Sequence, residues 1–96
     1  MFIKREIEGM DLLLDFEGEM VEIDFVNMGN VNITYFINDL IVTENEEDRL
    51  LILEDGEENI LPLHISKEQI LEIEEEYDGQ LVLIMLNGGE IIINRI

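Results

Sequence analysis

Apolar and acidic residues alternate along most of this 96-residue chain, and that period of two constrains its fold more than any other feature. Successive side chains of a strand point to opposite faces, so alternation marks strands with one dry face and one wet face. Val21, Ile23 and Phe25 stand against Glu22 and Asp24, and Val31, Ile33, Tyr35 and Ile37 form a second such series. Met10, Leu12, Leu14 and Phe16 alternate with Asp11, Asp15 and Glu17, which predicts a strand in hairpin with residues 21–25 around Gly18. Asn38-Asp39 interrupts the third run, and residues 40–43 continue it after a bend.

Residues 50–53 and 81–86 are apolar on both faces, as central strands are. Residues 60–65 form another strand, in which Pro62 marks an edge or an end. Turns fall where Asn, Asp and Gly cluster, at residues 27–30, 55–59 and 87–90, and residues 91–96 close the domain.

The stretch from Ser66 to Tyr77 carries both signals. Ser66-Lys67-Glu68-Gln69 fits a helix-capping box, whereas the residues after it alternate and run into Asp78-Gly79, a hairpin dipeptide. A helix here has a thin apolar stripe of Ile70, Leu71, Ile73 and Tyr77, so one helical turn at 66–69 followed by a strand at 70–77 is expected. The sum is an all-β, or mainly β, fold: a small barrel or sandwich of about seven short antiparallel strands. At most one short helix is expected, near Ser66–Tyr77, and residues 1–96 make a single acidic β domain.

Charge bounds the partners. Twenty-four acidic residues against five basic ones give a net charge of −19, which repels nucleic acid and anionic membranes. Direct nucleic-acid binding and membrane binding are therefore not expected; a basic protein partner is. The apolar fraction of 47% supports a folded chain despite the charge. Cysteine is absent, which removes disulfides, thiolate metal sites and thiol nucleophiles. The first residues have no unbroken apolar core of a secretory signal, so a cytoplasmic location is expected, or host cytoplasm if the chain is phage-encoded. Alanine is absent and Ile, Asn and Glu abound, a bias that AT-rich codons of a low-GC bacterium or its phages produce.

No catalytic, cofactor or metal motif is found. His64 is the single histidine, on the strand face opposite Leu61, Leu63 and Ile65, with no nucleophile or orienting carboxylate in a recognisable pattern. The acidic stretches 44–48 and 55–59 are loose oxygen clusters without the order of a calcium-binding loop. Gly88-Gly89 lacks the Lys and Ser or Thr of a phosphate loop. The chain is thus expected not to be an enzyme and to need no cofactor.

What is left is the acidic surface itself. Alternate residues on a strand lie about 6.6–6.8 Å apart, of the same order as successive phosphates of a nucleic-acid strand. Glu22 and Asp24, and Glu72, Glu74 and Glu76, are rows of this kind. Met20, Val26 and Phe36 fall on outer faces, where exposed apolar groups supply the buried contacts of an interface. Packing beneath a loop or second sheet is the competing expectation for these three, and the stronger one for Phe36. The partner-binding set expected from sequence is Glu22, Asp24, Glu72, Glu74, Glu76, Met20 and Phe36. The function expected is a non-catalytic, phage-type inhibitor whose acidic face mimics nucleic acid in a basic groove of a nucleic-acid-processing protein. The alternative is a self-assembling β module, a dimer or ring, with an acidic solubilising surface.

Overall fold

The computed structural model describes residues 7, 9–27, 33–58, 61–77 and 79–96. The chain runs α1 (Met10–Leu14), β1 (Val21–Val26), β2 (Ile33–Ile37), β3 (Leu40–Asn45), β4 (Leu50–Asp55) and β5 (Leu63–Ser66). A 3-10 turn at Lys67–Gln69 then leads into β6 (Ile70–Tyr77), β7 (Gln80–Met85) and β8 (Glu90–Arg95). The strands form two antiparallel sheets, one of five strands in the order β2-β1-β8-β7-β6 and one of three in the order β3-β4-β5. They are not closed into a barrel, and one hydrophobic core takes residues from both.

The chain passes between the sheets at two corners. One is the Asn38-Asp39 step from β2 to β3, and the other is the 3-10 turn from β5 to β6. Between the sheets lies the core. Ile23, Ile93 and Leu81 are in register across β1, β8 and β7, and all are fully buried. Leu40, Leu51, Leu53 and Ile65 face them from the smaller sheet as part of the same cluster. Phe25 meets Tyr35 edge-on, with ring centroids 5.8 Å apart, at its margin.

Each corner must break a ladder, and the backbone groups it orphans need other partners. At the first corner the buried carboxylate of Asp55 accepts N–H bonds from Asn38 and Asp39, both 3.3 Å, and from Glu57 at 2.9 Å. Gly56 follows it, and a Cβ there would oblige the Asp39 carboxylate to shift. At the second corner the Lys67 amide donates to the Arg49 carbonyl at 2.9 Å, and its side chain, 8% exposed, turns inward.

Two expectations need correction. Met10–Leu14 is a helix, not the first strand of a hairpin, and β1 pairs with β2 and β8. Three consecutive leucines favour helix, and the residues that bury are Leu13 and Phe16, three apart, while Leu14 stays exposed. Gly9 starts the helix at φ 87°, so close to the Ile73 backbone of β6 that no side chain fits. Near Ser66 the expected single helical turn is present as the 3-10 turn, and the expected strand at 70–77 follows it as β6.

The second correction concerns β6. A register shift between Ile70 and Glu72 breaks strict alternation, and Ile70 and Ile73 both bury. The turn expected at 27–30 lies largely outside the described residues, as do the end of the 55–59 turn and Asp78. No described helix is long and apolar enough to cross a membrane.

The Asp55 carboxylate serves three amides, so its loss strands donors at the corner. Asp55→Ala is expected to lower stability by about 2–4 kcal/mol in urea unfolding. Asp55→Asn should lose less, because its remaining carbonyl still serves Asp39 and Glu57, which share one oxygen.

Candidate interaction face

The outer face of the five-stranded sheet gathers the predicted carboxylates. Cross-strand register sets three rows upon it. The first runs Phe36, Glu22, Asn94, Gln80 and Tyr77; the second runs Thr34, Asp24, Ile92, Val82 and Glu74. The third runs Val26, Glu90, Ile84 and Glu72. Glu22 and Asp24 on β1 thus share a face with Glu72 and Glu74 on β6, three strand steps away, or roughly 14 Å. Glu90 lies between them. Val82, 3% exposed, sits at the centre, with Ile92 and Ile84 half-buried around it.

Not every predicted residue joins the face. Glu76 falls in a second register shift, between Glu75 and Tyr77, so it does not extend the Glu72–Glu74 row. Met20 is exposed and immediately precedes β1, where its carbonyl accepts the Ile96 amide at 3.0 Å. Val26 lies on the outer face as expected. Phe36 is 60% exposed beside Glu22 and is not packed under a loop, because β2 is the edge of its sheet.

Glu90 and Tyr77 belong to the face but were missed from sequence. Glu90, expected in the turn at 87–90, instead opens β8, where Ile91 and Ile93 bury and Glu90 falls on the outer face. Tyr77 faces outward only because of the bulge before it, and nothing local in the sequence announces that shift.

Among the described residues no cation lies in these three rows. The described basic residues are drawn into contacts elsewhere. Lys67 donates to Glu46 at 3.0 Å and lies 3.5 Å from Glu44, so the 44–48 stretch holds an internal ammonium. Arg95 stacks over the Phe16 ring at 4.2 Å and reaches Glu19 at 3.9 Å. Arg49 approaches Glu68 at 4.0 Å.

Within the face, Thr34 donates to Asp24 at 2.6 Å. Glu72 pushes the Glu74 carboxyl above its usual pKa, first by direct charge repulsion and then by a hydrogen bond that favours the protonated form. Like charge between Glu72 and Glu74 is therefore uncompensated, and a proton on Glu74 relieves it.

His64 lies exposed on β5 opposite Ile52, remote in the ladder from the acidic rows. Among the described residues no group of three or more His, Asp or Glu is arranged to hold a metal ion. Comparison of the chain with protein-family models, with curated proteins and with solved structures finds no match.

The raised Glu74 pKa has a definite sign for stability. The folded chain holds this proton more tightly than the unfolded one, so stability falls as pH rises from the usual glutamate pKa through the raised one. Glu72→Gln should return the Glu74 titration, followed by NMR of the side-chain carboxyl, toward the usual value. An unchanged Glu74 titration in that variant would assign the shift to burial instead. Glu74→Gln should stabilise the chain at neutral pH and lose that advantage below the usual glutamate pKa.

Proposed function

We propose that this chain is a non-catalytic protein-binding domain, an inhibitor of phage type. Its five-stranded sheet presents a nucleic-acid-like acidic face to a basic groove on a nucleic-acid-processing protein. One observation carries the reading. Five carboxylates, Glu22, Asp24, Glu72, Glu74 and Glu90, share one face, and no described cation lies among them. The described cations are held elsewhere.

The chemistry follows from that arrangement. Carboxylates in rows at strand spacing offer a basic groove charges at intervals it is built to meet, and the summed field speeds encounter. Exposed Phe36 and Tyr77, at opposite ends of one row, supply the aromatic contacts that anchor protein interfaces. A strand pair keeps its carboxylates in place without a partner, so little ordering is needed on binding.

Capture from a low-salt bacterial lysate tests this. The expected result is a basic nucleic-acid-binding protein, displaced from the immobilised chain by a DNA or RNA oligonucleotide and released as salt rises. Replacing Glu22, Asp24, Glu72 and Glu74 together by Gln and Asn should weaken capture at least about tenfold, since charges at an interface act mainly on the association rate. Recovery of no such protein, or capture indifferent to the four substitutions, overturns the proposal.

A further inference from the structure

The sheet edges of this molecule are guarded unequally. An edge strand exposes unpaired N–H and C=O groups, and proteins blunt it with charge, bulges, proline or covering loops. The β3 edge is covered: Leu40 exchanges backbone bonds with Glu19 and Gly18, and the Glu17 carboxylate accepts the Val42 amide at 3.3 Å. The β6 edge carries Glu72, Glu74, Glu75 and Glu76 and two register shifts. The β5 edge is only four residues long and follows Pro62.

The β2 edge has none of these devices. Its sequence, Ile33-Thr34-Tyr35-Phe36-Ile37, is uncharged and rich in β-branched and aromatic residues. It lies in the longest charge-free run of the chain, which extends from Phe25 to Asn38. On its far side from β1, it has no backbone partner among the described residues. Ile33 and Phe36 stand 42% and 60% exposed along it.

We infer that this edge pairs with the same edge of a second copy, antiparallel about a twofold axis near Tyr35, joining two five-stranded sheets into one. Charge selects the occupant. A basic partner is drawn to the carboxylate rows, whereas two copies of net charge −19 approach closely only where both are neutral. Antiparallel pairing about a twofold makes one strand complementary to itself, so each copy supplies the donors and acceptors the other lacks.

Repulsion across the seam is modest. The nearest rows, on β1 of each copy, stand three strand steps apart, roughly 14 Å, beyond the Debye length of about 10 Å at 0.1 M salt. That distance equals the β1-to-β6 separation within one copy. The joined sheet therefore presents the carboxylates of β1 and β6 from both copies at even intervals on one continuous face, with Glu90 of β8 between them in each copy.

Sedimentation equilibrium on the purified chain, with no partner present, tests the pairing independently of the inhibitor reading. A short edge seam is small for an interface, so the range needed is about 10 µM to about 1 mM protein. Dimer should form and strengthen from about 0.05 M to about 0.5 M NaCl, as the Debye length shortens from about 14 Å to about 4 Å. Capture of a basic partner weakens over the same range, so the two proposals fail separately.

Hydrogen exchange at high concentration should show added protection at residues 33–37. Ile33→Glu and Phe36→Glu, made singly at exposed positions and checked for folding by circular dichroism, should each lower the association constant at least about tenfold. A wild-type chain that stays monomeric throughout, protection confined to β5 or β6, or dimer unaffected by both substitutions would overturn the inference.

Discussion

A strand that leaves one sheet for another must do so without abandoning its amides, and the Asp55 carboxylate is what permits this at the first corner. It closes the last rung of the β3–β4 ladder, opposite Leu40, and from there reaches the Asn38 and Asp39 amides. The corner fixes where β2 ends, and hence which residues of β1 and β2 face outward. The second corner uses the opposite charge. Lys67 sends its ammonium to Glu44 near the end of β3 and Glu46 in the turn after it, while its amide is held by the Arg49 carbonyl. One buried acid and one buried base thus fold a single antiparallel succession of strands into two layers. Both are fully engaged, and no buried side-chain polar atom among the described residues lacks a partner.

Much of this was legible in the residues. Alternation placed β1 and β2, and continuous apolarity placed β4 and β7 as interior strands, because side-chain burial is the signal that period reports. Pro62 foretold the start of the short edge strand β5, and the step at Asn38-Asp39 was visible as a break. The helix at Met10–Leu14 was not, since a run of three leucines satisfies a period of two and a helical stripe alike. What separates them is Gly9 against the Ile73 backbone, a contact between residues far apart in sequence.

The interaction face was legible strand by strand but not as a whole. Alternation shows that Glu22 and Glu72 point away from the core. Only the order β1-β8-β7-β6 shows that they point the same way. The role of Lys67 was hidden for a related reason: it read as the second residue of a capping box, and its partners lie on another turn.

The acidic surface is better understood through what it costs than through its size. A surface serving solubility alone is well served by charges of both signs interspersed, and edges are commonly guarded with lysine. Here each described cation is engaged away from the outer face of the larger sheet, and Glu74 sits beside Glu72 with its pKa raised by the encounter. That arrangement weakens the folded state whenever both are ionised. Moving one carboxylate off the face, or placing one lysine among the rows, would relieve it without disturbing the core, because these positions point outward. The fold therefore does not require the arrangement. Its physical effect is a concentrated negative potential over a sheet face with no described cation, and that potential is what a basic groove would meet first.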